Sequence, residues 1–180
     1  MVKTQHMIFA ATLIFLFGCD FRQGKRAQAK IEPKSESLVT GQAFFSEKSG
    51  KVKVEISVTG VEPGPTAVHL HSIGDCSSED AMSSGGHWNP TKEKHGKWGE
   101  SQFHSGDIGN INIDESGKGV LILIDQHNRW SIGGPAETNV IGRAVVVHQG
   151  RDDMVSQPSG AAGKRTGCGP IIETTGVTEK

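Results

Sequence analysis

The chain contains no tyrosine, and its other aromatics are sparse: seven phenylalanines and three tryptophans in 180 residues. It has no Lys/Arg-rich block, and its formal net charge is −1. Bulk nucleic-acid binding needs a basic footprint or a basic stripe interleaved with aromatics, and neither is present. Long apolar runs are also missing. The longest, Met7 to Phe17, is shorter than the roughly 20 residues needed to span a bilayer. No amphipathic helix and no internal repeat stands out. No HExxH occurs, and no glutamate is placed as the general base of a zinc hydrolase.

What is present is glycine, 24 residues of it, scattered among short β-branched runs. That pattern predicts an all-β domain with many turns. The length suits one domain with a real core. Residues 51–60, "KVKVEISVTG", alternate cleanly, with Val52, Val54, Ile56 and Val58 on one face and Lys51, Lys53, Glu55 and Ser57 on the other. This is a half-buried strand. "LVTGQAFFSE" (38–47) reads as its hairpin partner across "EKSG". Further strands are read at "AVHLH" (67–71), on both sides of a turn in 111–125, at 139–149 and at 168–172.

The N-terminus is a separate unit. Lys3 followed by the run Met7 to Phe17 fits a secretion signal over residues 1–18. "LFGC" resembles the bacterial lipoprotein cleavage box, which makes Cys19 the lipidated residue; ordinary signal cleavage near this point is the alternative. Residues 19–37 then comprise the lipidated cysteine and a polar, charged, flexible tether. The domain is expected over 38–175, with a short tail at 176–180. The protein is expected to be exported to the periplasm or cell envelope and lipid-anchored to a membrane. Three cysteines form an odd set, which an exported chain has to account for.

The chemistry lies in the histidines, of which there are eight. His6 falls in the signal, and His127 beside a turn reads as a surface residue. His69 and His71, in "TAVHLHSIGDC", are two residues apart on a strand and so share a face. A lone HxH is more often a surface pair than half of a metal site, so the rest of the chain decides. Residues 72–110 lack regular periodicity, and so long a loop inside a compact domain marks function. It carries His87, His95, His104 and Asp107. Three imidazoles and a carboxylate make a tetrahedral zinc set, which would also order the loop. His69, His71 and His148, with one imidazole shared from the loop, make four nitrogens, a set that suits copper(II).

The segments "AVHLHSIGDC", "GGHWNP", "KHG", "FHSGDIGN", "IGRAVVVH", "RDD" and "SGAAGKRTGCG" follow in order the pattern of the copper/zinc superoxide dismutases. The chain resembles that family from about Leu38 to Ile172, and the short gap from His71 to Cys76 resembles its bacterial exported branch. The resemblance implies a Greek-key β-sandwich or barrel with long metal-binding and electrostatic loops. It makes His69, His71, His87 and His148 copper ligands, and His87, His95, His104 and Asp107 zinc ligands, with His87 bridging the two ions. It places Asp152 behind a copper-ligand and a zinc-ligand histidine, and Arg165 beside the copper. It pairs Cys76 with Cys168, which closes the cysteine accounting if Cys19 carries lipid. The implied cofactors are a copper ion and a zinc ion, and the substrate is superoxide, converted to oxygen and hydrogen peroxide. His87 and Arg165 are the catalytic residues, and a homodimer is compatible with the pattern. The departures are the missing Gly before His69 and the tail after Ile172.

Three other readings compete. "HLHSIGD" partly mimics a cupin metal motif, but leaves His95, His104 and Asp107 without a role. A zinc hydrolase lacks its base. A non-catalytic copper or zinc carrier on the same fold is the runner-up, although a carrier needs neither Arg165 nor a bridging imidazole. Trp88, Trp98 and Trp130 read as packing residues. Lys92, Lys94 and Lys97 read as a solvated loop face that could add to the substrate field.

Overall fold

A computed structural model describes residues 24–174. The signal segment, Cys19 and the tail 176–180 lie outside the described residues. The nine strands are β1 (Arg26–Pro33), β2 (Thr40–Lys48), β3 (Lys51–Thr59), β4 (Gly64–His71), β5 (Gly109–Ile113), β6 (Lys118–Ile124), β7 (Ala144–His148), β8 (Arg165–Pro170) and β9 (Ile172–Glu173). The one helical turn among the described residues is a short 3-10 segment, Met82–Ser84. The strands form an antiparallel path β5-β4-β7-β8-β1-β2-β3-β6, with β9 added beside β1. Because β5 and β6 are joined by a tight turn, where the Asp114 N–H donates to the Lys118 carbonyl at 2.8 Å, the two ends of the path come together. The result is a nearly closed eight-stranded barrel, in line with the Greek-key sandwich or barrel that the resemblance implies.

β1 holds the two halves together. Its Arg26–Ile31 part pairs with β2, and its last residues, Glu32 and Pro33, pair with β8. A strand that passes from one sheet to the other makes the corner of a sandwich. This corrects, from Arg26 on, the expectation that residues 20–37 are a flexible tether. Ala27, Ala29 and Ile31 alternate and are fully buried. Two of the three are alanines, too small to reveal the period among charged neighbours. The domain therefore begins by Arg26 rather than Leu38. Two other expectations shrink or grow: 139–149 contributes only Ala144–His148 as strand, and the last long strand starts at Arg165, not Cys168.

The core is filled from both sheets by Phe45, Val54, Ile56, Leu70, Ile111 and Val147, all buried. Each such side chain contributes about 1.5–3 kcal/mol relative to exposure. A second, small cluster of Ala81, Ala144, Val146 and Cys168 lies on the other side of β7. So β7 is buried on both faces, and the long segment between β4 and β5 covers its outer one. The Cys76–Cys168 disulfide, with Cα atoms 5.8 Å apart, ties that segment to β8.

Candidate metal centre

β4 and β7 present the first three histidines. On β4, Val68 and Leu70 enter the core, so His69 and His71 take the opposite face. β7 lies alongside, with His69 opposite Val146 and Val68 opposite Val147. His148 ends β7 at a break in register with β8. The long segment then docks on this face. The Leu70 N–H donates to the Gly106 carbonyl, the Trp88 N–H to the Leu70 carbonyl, and the Gly106 N–H to the Trp88 carbonyl, at 2.9, 2.8 and 2.9 Å. A Cβ at position 106 would collide with the Leu70 carbonyl, so this approach needs glycine. Docking at Trp88 sets His87 beside His71 in an isolated β-bridge.

Two groups of ligating side chains result: His69, His71, His87 and His148, and His87, His95, His104 and Asp107. Within each group the candidate ligand atoms all lie within 4.8 Å of one another. His87 belongs to both. The six histidines and Asp107 singled out in the sequence are thus brought to one place.

The hydrogen bonds decide which nitrogen each ring offers. His69 Nε2 donates to Asp152 Oδ2 and His95 Nε2 to Asp152 Oδ1, both at 2.9 Å. His71 Nδ1 donates to the Gly85 carbonyl at 2.8 Å, His148 Nδ1 to the Gly163 carbonyl at 3.4 Å, and His104 Nε2 to the Glu93 carbonyl at 3.0 Å. What remains is His69 Nδ1, His71 Nε2, His87 Nε2, His95 Nδ1, His104 Nδ1 and His148 Nε2, all buried and without a hydrogen-bond partner. A buried unsatisfied polar atom costs about 1–3 kcal/mol. Six of them gathered in two adjacent groups fit two bound cations, four lone pairs going to one and those of His95 and His104 to the other.

Asp107 is oriented the same way. Its Oδ2 accepts from the backbone N–H groups of His104 and Gly96, at 2.7 and 3.1 Å. Its Oδ1 faces His87 Nδ1, His95 Nδ1 and His104 Nδ1 at 2.8, 3.0 and 3.1 Å. The contacts from His95 and His104 are short but badly angled for hydrogen bonds, which is the geometry of groups arranged around a common centre. His87 Nδ1 therefore faces the carboxylate group and its Nε2 the all-nitrogen group.

Protonation follows the same division. Burial pulls His71 down to about 2, with the neighbouring His87 adding to the shift. Burial pulls His87 to about 4 although Asp107 opposes it, and burial keeps His148 well below the ordinary histidine value. These rings are neutral, as metal ligands must be. Burial would lower His95 as well, but Asp107 and Asp152 lift it to about 9. Burial works against ionising Asp107 and Asp152, yet their histidine partners hold both carboxyls well below the usual carboxylate range.

A family model for copper/zinc superoxide dismutase matches residues 39–171. The chain belongs to the copper/zinc superoxide dismutase family. Superoxide dismutase (Cu-Zn) 3 of Arabidopsis thaliana is 36% identical over 134 residues, 71% of this chain and 79% of that protein. The crystal structure of the clock protein EA4 is similar with a TM-score of 0.73 at 35% identity, over 86% of this chain and 98% of that one. Copper and zinc are the ions of this superoxide dismutase family, and the donor sets fit them: four nitrogens for copper, and three nitrogens with a carboxylate for zinc.

The metal centre opens onto a cleft of about 1310 Å³ whose lining includes His71, His87, His104 and His148, the cations Lys94, Lys164 and Arg165, and the acids Glu79, Asp80 and Glu93. Arg165 lies opposite His148 across the β7–β8 pairing. Its Nη1 donates to the Ala81 carbonyl at 2.8 Å and to Ser84 Oγ at 3.2 Å. The disulfide, three residues further along β8, holds the same loop against this strand. Lys97, by contrast, pairs with Glu100 at 3.7 Å. Trp88 and Trp130 are buried packing residues, and Trp98 stacks against Trp130. His127 is exposed against Trp98 and Phe103.

Several supporting residues escaped the sequence reading. Gly160 has φ +69°, and a Cβ there would collide with Asp152 Oδ1. Asn110 exchanges hydrogen bonds with the Asp152 backbone at 2.7 and 2.9 Å. Gln157 does the same for the His95 backbone at 3.0 and 2.9 Å. Buried Ser84 seats Arg165. None carries a signal in its own residue type; only their partners reveal them.

Proposed function

We propose that this superoxide dismutase converts two superoxide ions and two protons to oxygen and hydrogen peroxide at one His87-bridged centre, and that it does so outside the cytoplasm on a membrane-anchored chain. The carrying observation is the double membership of His87. Its two ring nitrogens face two different donor sets, one with four nitrogens and one with a carboxylate. In this reading copper is held by His69, His71, His87 and His148, and zinc by His87, His95, His104 and Asp107. Bound copper supplies one-electron redox chemistry, and bound zinc a fixed positive charge.

The residues do the rest. Arg165 attracts the superoxide anion into the cleft and donates hydrogen bonds to it. His87 Nε2, facing the all-nitrogen group, carries a proton toward the forming peroxide, while Nδ1 stays oriented on the Asp107 side. Asp152 fixes His69 and His95 together, so the two halves keep one geometry.

The short apolar run, Cys19 and the disulfide support an exported, lipid-anchored chain of the bacterial branch, since disulfides persist in oxidising compartments. A homodimer is compatible with this reading. The test of the activity is product stoichiometry. The copper- and zinc-loaded protein should yield one oxygen and one peroxide for every two superoxide ions consumed. Superoxide consumption without oxygen release would overturn it. Mass spectrometry of the mature N-terminus should find a diacylglyceryl group on Cys19, and an unmodified terminus cleaved elsewhere would refute the anchor.

A further inference from the structure

The sheet opposite the histidines leaves its outer face open. Register fixes which side chains share it. Arg26 lies opposite Ser46, Ser46 opposite Lys53, and Lys53 opposite Ile124. The next rung on the same face is Gln28, Phe44, Glu55 and Ile122. Lys48 and Lys51 face each other at the β2–β3 hairpin. Ala27, Phe45, Val52 and Val54 point into the core, so these alternate residues point out. A sheet face in water normally carries polar side chains. Here Phe44, Ile122 and Ile124 are 51%, 56% and 48% exposed, with exposed Val120 and Ile172 beside them. Val120, Ile122 and Ile124 form an apolar stripe along β6, while Phe44 and Ile172 stand singly among polar neighbours such as Gln28 and Glu55, so the face mixes exposed apolar and charged groups.

Charge says what such a face suits. Lys53 is paired with Glu55 at 3.2 Å. Arg26, Lys48 and Lys51 have no ion pair among the described residues, and all three are exposed. The hairpin end of the face is therefore basic. It is also where the chain enters, because β1 begins at Arg26, with only six residues between it and Cys19. Six extended residues reach about 20 Å. From there β1 runs to Pro33, and Lys34 to Ser37 line the metal cleft at its far end.

We propose that the outer face of β1, β2, β3 and β6, led by Arg26, Lys48 and Lys51, seats on anionic lipid headgroups and turns the metal cleft toward the aqueous side. The anchor in this arrangement rests on the reading of Cys19 as lipidated; the basic and apolar face does not. An anionic surface neutralises unpaired cations and accepts shallow apolar groups. A two-fold contact between copies centred on the hairpin end would instead set these cations against themselves.

Amine-reactive labelling of the full mature protein, read by peptide mass spectrometry, tests this. The protein is compared in detergent, on phosphatidylcholine vesicles, and on vesicles with added phosphatidylglycerol. On the anionic vesicles Lys48, Lys51 and Lys53 should label at least about threefold more slowly than in detergent, with Lys94 and Lys164 unchanged. High salt should abolish the protection. The combined Arg26→Glu, Lys48→Glu, Lys51→Glu variant should lose it at Lys53 while keeping full dismutase activity. Equal labelling on both vesicle types would overturn the proposal. So would protection in detergent that grows with protein concentration, since a second copy would then cover the face. The N-terminal peptide in the same digest reports separately whether Cys19 carries lipid.

Discussion

The two halves of the metal centre share one imidazole and differ in almost everything else. The His69, His71, His87, His148 half has no carboxylate, and burial holds His71, His87 and His148 neutral. It opens onto a cleft with Lys94, Lys164 and Arg165 on its walls. The His87, His95, His104, Asp107 half is built around an ionised carboxylate with both oxygens engaged. All four of its donors come from the segment between β4 and β5, which it also orders. The difference teaches a division of labour. A set of neutral donors with the Arg165 guanidinium beside it suits a metal that changes charge and meets an anion. A set that includes an ionised carboxylate suits a metal that stays as it is. Asp152 is bonded to His69 of one half and to His95 of the other.

The comparison can be broken most severely at its open end. His148→Ala should cost at least about a hundredfold in copper affinity, since losing only a supporting partner typically costs 10–100-fold. Activity should fall with the copper, while zinc, measured in the same sample, stays at full occupancy. Loss of both metals together would mean that the halves are not separable.

Arg165→Glu should lower the rate about tenfold or more without changing either metal, because local charge sets the encounter rate of a small anion. Arg165→Lys should lose much less. Raising ionic strength should slow the wild type, with a Debye length of about 10 Å at 0.1 M salt, and slow Arg165→Glu little or not at all. Wild-type turnover by Arg165→Glu at low salt would remove Arg165 from this role.

Asp152→Asn attacks the link between the halves. It should weaken both metals by about tenfold, a smaller and more even effect than the loss of the His148 ligand. An effect confined to zinc would show that Asp152 serves His95 alone.

The smallest effect is on the metal-free protein. His71 and His87 fall to about 2 and about 4 on folding. Their contribution to stability is therefore complete above the unfolded histidine value near 6.5 and lost as pH drops below it. Burial pulls His95 down, but its two carboxylates lift it to about 9. Its contribution is complete below 6.5 and lost as pH rises through about 9. The metal-free melting temperature should peak near neutrality and fall on both sides. Metal loading should remove the alkaline decline, because the metal takes the place of the His95 proton. A monotonic metal-free profile would contradict these assignments.

Much of this was legible in the residues. The period-two run from Lys51 to Thr59 reads directly as β3, and His69 and His71 share a face because strands alternate. The long segment that carries His87, His95, His104 and Asp107 stands out because it has no period at all. β1 was not legible, since alternation written in Ala27 and Ala29 has too little hydropathy contrast to show. Nor were the supports. Gly160 is required only because Asp152 and His95 pass beside it, and Ser84 matters only because Arg165 reaches it. Residues that act through a partner distant in sequence need the fold to be seen.

The account turns on one site that turns over and one that does not. Copper titrated into the zinc-loaded protein, with the superoxide dismutation rate read at each addition, tests it most directly. The rate should rise in proportion to copper and level off at one copper per chain, with zinc constant at one. Full copper occupancy at that ratio with no dismutation would contradict the account and leave a metal carrier in its place.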